Sequence, residues 1–434
     1  MSKPTDNLKL KPGEISIDAS QLRPGVHVRL PASWISHQFL FNSFVIEDES
    51  QARQIAALNL PALFCDVTRC KVPPLPKSSS SAPANPADDA EKARLAALTE
   101  KQLQEKQQLI RVMKQMHERL DKTMKHYLDA AKSVGSAIKS FDADPKNSIS
   151  QVRQVSEKST EILISDIDSA IVLIAEKGQQ DGATSHALSV MTLSLLLGKQ
   201  ARLPDEALRV LGVGALLHDI GKSAISSSIL RNTGRNRFEE QVYMSHCRAG
   251  YESAQRAGGL PPPVLEAILH HHEHIDGTGF PDRLSGEKIH IAARVIAIAN
   301  RFDNLSNPID YRRAMSPSEA LSTMWVKEKN HFDHVLLQLF IRAMGVYPPG
   351  SIVQLSDGRI AAVMVSASTE NSLCPQIMVY EPEIPRHQAI IIDLAKETSV
   401  KIDHALRLQD RSEDELDYLL PRRRMSWFHS EGQG

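Results

Sequence analysis

The spacing of apolar residues changes along this chain, and each change marks a change of architecture. Between residues 15 and 70 the apolar positions come in short bursts broken by turn residues. Val26–Leu30, after the Pro24–Gly25 turn, reads as a strand, Glu49–Leu58 as a helix and Ala62–Val67 as a closing strand. The aromatics at Trp34 and Phe39–Phe44 supply a core, with a partner-binding patch as the alternative. The pattern predicts a small mixed α/β module over 1–71. Pro, Ser and Ala then dominate, and 72–90 reads as a linker.

Helical periodicity follows. Leu109, Met113, Met116, Leu120, Met124 and Tyr127 recur every three or four residues, giving a helical stripe within a connector over 91–149. Such a stripe either packs on its own domain or forms a dimer seam. Residues 150–347 read as helix after helix, with loops at Gly178–Gly182, Asn232–Arg237, Gly258–Pro263 and Gly277–Gly286. From 348 to 409 the period shortens again. Two β-branched runs flank an Asp357–Gly358 turn, a hairpin signal, and QIMVYE and AIIIDL add strands. The charged stretch 410–434 reads as a flexible tail, and Arg422–Arg424 in it as solvated.

Charge narrows the function classes. With 51 Lys+Arg against 52 Asp+Glu, the chain has no basic footprint for a nucleic-acid polymer. It also lacks the roughly 18 uninterrupted apolar residues of a membrane helix. The N-terminal stretch shows no secretory pattern, and four scattered cysteines fit a reducing compartment. A cytoplasmic location is therefore expected. Cys65 and Cys70 read as core rather than as a metal pair.

The 17 histidines are clustered. His186 lies in TSHALSV, and His218, Asp219 and Lys222 lie in LLHDIGK. His246 lies in MSHCRAG, and His271 and His272 in HHHEHIDGTGFP. A lone histidine on an apolar face is usually a satisfied core residue. Here His218–Asp219 ends the apolar run Val210–Leu217, and His271–His272 ends Val264–Leu269. A carboxylate buried there is costly unless paired or metal-bound. Imidazole with carboxylate and no cysteine suits Fe, Mn, Co, Ni or Zn in a non-structural site. Asp219, with two oxygens, is suited to bridging two ions, and Lys222 adds a cation for a phosphate ester. His331 and His334 read as helix surface or cap.

At this point the motifs LLHDIGK, His246 with Gly250 four residues on, and HHE-x-x-DG-x-GFP resemble the HD-GYP domain of the HD metal-dependent phosphohydrolases. Residues 15–70 resemble the small domain often fused to it in bacteria. The resemblance implies a mainly α fold: an all-helical HD-type phosphohydrolase domain, a small α/β N-terminal module and a C-terminal β-hairpin unit. It implies a phosphodiesterase that hydrolyses cyclic di-GMP to pGpG, GMP or both through a hydroxide activated by a binuclear metal centre. The two divalent transition-metal ions would be Fe or Mn. Their ligands would be His186, His218, Asp219, His246, His271, His272 and Asn300. His270 has no role in that set. Asp219 and Lys222 would be catalytic. Lys222, Gly277, Gly279, Phe280, Pro281 and Arg312 would meet the substrate. Apart from the resemblance, the helical stripe leaves open a homodimer through the 91–140 helix, and signalling-protein partners stand beside it as an expectation.

Four departures qualify the resemblance. Phe280 replaces the signature tyrosine, so a hydroxyl is lost and a packing role kept. Asn300 stands where the family carries a ligating aspartate; Asn coordinates through its amide oxygen but is neutral. Gly182 stands where three-metal members carry glutamate, so two metals are expected. Ile309 replaces an arginine. An active enzyme, a catalytically weakened cyclic di-GMP or protein receptor, and an HD phosphohydrolase of another nucleotide therefore all stand as readings.

Overall fold

The computed structural model describes residues 10–77, 88–165, 171–175, 182–310, 313–365, 373–382, 384–397, 400–420 and 425–429. The chain divides into two compact units, 1–115 and 116–434.

In the first unit, Glu14–Ile17, Leu63–Asp66, His27–Arg29 and Ser43–Val45 form, in that order, an antiparallel four-stranded sheet. The helix Glu49–Ala57 starts where Asp48 accepts from the Gln51 amide at 2.8 Å, satisfying a donor the helix itself cannot. Ile17, Val26, Val28, Leu30, Phe39, Ile46, Ile55, Leu63 and Cys65 close the core. Trp34 and Phe41 are buried too, as a core role requires. Ser43–Val45 is a strand the aromatic stretch concealed. Arg29 forks onto Glu14 at 2.6 and 2.7 Å inside the unit. Lys106, from the helix Asp88–Ser140, donates to the carbonyls of Trp34, His37 and Phe39.

The expected linker over 72–90 starts later than its composition suggests. Val72 packs on the core, and the Leu75 amide donates to the Gln21 carbonyl at 3.0 Å. Backbone pairing outweighs composition there. Residues 78–87 lie outside the described residues, and the long helix begins at Asp88.

In the second unit the helix Gly182–Gln200 is buried from Ala187 to Gly198, which is why its run is apolar on every face. The helices Pro145–Ser165, Asp205–Leu217, Ile291–Ser306 and His334–Met344 pack around it. Of the stripe on the long helix, Tyr127 is fully buried and donates to Ser185 at 3.2 Å.

Two sequence expectations fail in this unit. Residues 150–347 are not purely helical, because Ile171–Ala175 is a strand. A short continuous apolar run cannot be assigned to helix or strand by periodicity alone. The tail 410–434 is also ordered where described: Glu413–Leu419 is a helix, and Met425–His429 pairs antiparallel with Ile171–Ala175. The C-terminal hairpin is therefore part of a larger sheet. Its order is Ile402–Leu406, Ile352–Leu355, Ile360–Val365, Ile171–Ala175, Met425–His429, with Gln376–Val379 and Ile391–Asp393 branching from Ile360–Val365. The Asp357–Gly358 turn is where the spacing placed it, with Gly358 at φ 85°.

Candidate metal centre

Three histidines stand where a helix ends or has just ended, and the helix end determines their chemistry. The last turn of a helix leaves carbonyls without intrahelical partners. His218 Nδ1 meets the Ala215 carbonyl at 2.7 Å, His246 Nδ1 the Tyr243 carbonyl at 2.5 Å, and His271 Nδ1 the Ile268 carbonyl at 2.9 Å. A carbonyl only accepts, so Nδ1 carries the proton and Nε2 presents a lone pair. His186, on the helix Gly182–Gln200, reaches the same state differently: its Nδ1 donates to Asp303 Oδ2 at 2.6 Å.

These four Nε2 atoms converge. His186 and His218 face each other at 3.3 Å, and so do His246 and His271. Asp219 Oδ2 lies 3.5 Å from His186 and 3.3 Å from His218, while Oδ1 lies 3.4 Å from His246 and 3.6 Å from His271. Acceptor faces acceptor at every one of these contacts. Asp219 Oδ1 and His272 Nε2 are buried without a hydrogen-bond partner. Such an array is repulsive unless cations fill it.

Protons do not fill it. Burial drives the His218 and His272 pKa values down and takes His271 to about 3, so these rings stay neutral. Burial also opposes charge on Asp219, but Lys222 beside it helps hold its carboxyl well below the usual range. The ligand atoms of Asp219, His246, His271 and His272 lie within 4.8 Å of one another, and so do those of His186, His218 and Asp219. Two groups share one carboxylate, and their donor set fits two divalent ions.

The backbone around Asp219 explains the convergence. At φ −101°, ψ 11°, Asp219 turns the helix Asp205–Leu217 into the tight turn Ile220–Ala224. Gly221 then lies against the helix His246–Ala257. A Cβ there would sit 2.1 Å from the His246 carbonyl oxygen. Lys222 Nζ is 2.5 Å from Asp219 Oδ2. Burial works against its charge, but Asp219 outweighs this and raises the pKa.

The glycine-rich loop folds back on His272. A Cβ on Gly279 would come 2.3 Å from the His274 nitrogen, and Gly277 has φ +76°. The Phe280 amide donates to the His272 carbonyl at 3.1 Å, and its ring stacks on the His272 imidazole at 4.6 Å and 18°. Pro281 follows through a cis bond. The packing part of the tyrosine-to-phenylalanine departure is thus visible. His270 turns away, to Glu266 at 2.9 Å and Asp282 at 3.1 Å. Asn300 is buried and lines a cavity with His271 and His272, but its Oδ1 accepts from Asn304 at 2.7 Å. Arg312 lies outside the described residues.

The sequence reading gave Asp303 no role; its signal was an aspartate three residues after Asn300 on the helix Ile291–Ser306. His331, read as helix surface or cap, closes the short helical turn Lys329–His331, where it also stacks on His274 at 4.1 Å and lines the cavity.

Residues 168–336 match the family described as HD domain. This segment is therefore similar to HD domains. Residues 14–152 match a domain of unknown function, DUF3391. The chain is 30% identical over 223 residues, 50% of its length, to a cyclic di-GMP phosphodiesterase of Pseudomonas aeruginosa, covering 53% of that protein. It is 35% identical over 167 residues to a cyclic di-GMP phosphodiesterase response regulator of Xanthomonas campestris pv. campestris, covering 38% of this chain and 44% of the relative. A 3′3′-cGAMP-specific phosphodiesterase of Vibrio cholerae is 34% identical over 127 residues, 29% of this chain and 24% of that protein. The chain thus spans about half the length of the first two relatives. Among solved structures, an HDG"Y"P protein from Bdellovibrio bacteriovorus is 16% identical with a TM-score of 0.42, over 75% of this chain and 98% of that one. The matched segment holds the whole histidine–aspartate cluster. Among the described residues no helix is long and apolar enough to cross a membrane.

Proposed function

We propose that the HD domain is a phosphodiesterase that opens cyclic di-GMP to pGpG, GMP or both. The carrying observation is the pair of acceptor clusters that share Asp219. His186, His218 and Asp219 would hold one divalent ion, and Asp219, His246, His271 and His272 a second, with Fe or Mn suited to this donor set. Bound there, the ions would supply Lewis-acid stabilisation of phosphoryl oxygens and a nucleophile drawn from water at neutral pH. Lys222, already beside Asp219, would meet a phosphate oxygen. The Gly277–Pro281 loop would border the substrate while Phe280 holds His272 in place. The relatives named above act on cyclic dinucleotides that carry at least one guanine, which supports the substrate class. Such a second messenger would be met in the cytoplasm. The buried Met113 and Tyr127 favour intrachain packing of the helical stripe over a dimer seam.

The test is turnover. Protein loaded anaerobically with Fe(II) or Mn(II) is expected to release pGpG or GMP from cyclic di-GMP, and Asp219→Ala is expected to release none. A second reading, a receptor that binds without turnover, is favoured by Asn300, whose amide oxygen is occupied by Asn304. Nucleotide binding without product from metal-replete protein would select it.

A further inference from the structure

A cavity of about 390 Å³ adjoins the cluster, with His271, His272 and Asn300 in its wall. Sites for small molecules run from about 300 to 1,000 Å³, so this one is large enough to take a base. Two further features of its lining have no part in the metal centre. Arg301 and Glu328 form a two-point fork, Nε to Oε2 at 2.8 Å and Nη2 to Oε1 at 2.5 Å. His274 and His331 stack nearly parallel, at 4.1 Å and 6°. The Ile275 amide donates to the His331 carbonyl at 2.9 Å, which ties the two backbones together, and His274 Nδ1 pairs with Thr278 Oγ1 at 2.9 Å, which holds the His274 ring.

A carboxylate next to a guanidinium presents acceptors beside donors. The pairing edge of guanine presents the complementary order: N1–H and N2–H₂ donate, and the adjacent O6 accepts. A carboxylate keeps lone pairs free after one fork is made. Adenine reverses the pattern, placing the N1 lone pair against the carboxylate and the N6 donor against the guanidinium. We propose that this cavity is a guanine-binding subsite, in which Glu328 accepts from N1–H and N2–H₂, Arg301 donates to O6, and the His274–His331 pair supplies a stacking face. The inference rests on the phosphodiesterase reading and names what selects its substrate.

The probes are 5′-GMP and 5′-AMP, which carry the base and have no phosphodiester to cut. Equilibrium binding to the full, metal-loaded chain is expected to favour GMP over AMP. Glu328→Gln is expected to weaken GMP about 10–100-fold, the size of losing hydrogen bonds to a charged group, and to leave AMP little changed. Glu328→Asp should recover part of the loss. Metal content and melting temperature of each variant report whether the fold survives. Should Glu328→Gln not fold, Arg301→Gln tests the same fork and is expected to lower the preference. A wild-type preference near unity overturns the inference without any variant, and so does an undiminished preference in folded Glu328→Gln. The turnover assay judges the phosphodiesterase reading separately: product without base preference rejects only the subsite.

Discussion

Asp303 makes no contact with the shared carboxylate, yet it decides what His186 can do. Its Oδ2 accepts the Nδ1 proton at 2.6 Å and so points the His186 lone pair into the cluster. Replacing it with asparagine keeps the shape and removes the charge. Asp303→Asn is expected to weaken metal binding about 10–100-fold, the usual cost of losing such a supporting partner. A metal titration of the purified variant checks this, and wild-type affinity would remove Asp303 from the site. Asn300 makes the opposite test. It sits on the cavity wall beside His271 and His272 but carries no charge. Asn300→Asp is expected to raise metal occupancy, read by elemental analysis; full occupancy already in the wild type would end that argument.

At the scale of elements, the site is built from helix ends brought together by close backbone approach. Pairing Nδ1 with a carbonyl three residues back sets the tautomer of His218, His246 and His271 before any ion binds. The turn Ile220–Ala224 reaches the helix His246–Ala257 only because Gly221 has no side chain. Gly221→Ala would force these elements apart. It is expected to cost about 1–3 kcal/mol of stability, the range for overpacking a tight contact, and to lower metal affinity at the same time. Calorimetry with parallel metal titration reads both. Loss of stability with intact metal binding would mean that the Asp219 turn tolerates the displacement.

At the scale of the whole molecule, the first unit carries its own pH dependence. His27 is buried against Ser43 with its pKa pushed down to about 4 by burial and then by the charge of Arg69. His37, beside Asn42, is pushed to about 4 by burial and then by Lys106. Unfolded, both titrate at about 6.5. Between those values the unfolded chain binds protons that the folded chain refuses, so stability falls as pH drops from about 6.5 toward 4. Urea denaturation of the full chain across that range should show the decline, with a shallower slope in a His27→Gln/His37→Gln double variant. An unchanged slope would place the titration elsewhere.

The sequence by itself determined which side chains could hold an ion. His218–Asp219 and His271–His272 each end an apolar run, and a polar group forced into a core must be paired or liganded. It also determined the strands His27–Arg29 and Leu63–Asp66 of the N-terminal module and the Asp357–Gly358 hairpin, because alternation and turn residues are local properties. Only the tertiary structure decided that Asp219 lies between two histidine pairs, since residues 186, 246 and 303 are far apart in the chain. Only it moved the tail from frayed to paired. Met425–His429 finds its partner at Ile171–Ala175 across some 250 residues, and strand pairing at that distance leaves no periodicity to read. The same holds for the Arg301–Glu328 fork: each residue alone is an ordinary surface charge, and only the packing of the helix Ile291–Ser306 beside Lys329–His331 makes them one wall of a cavity.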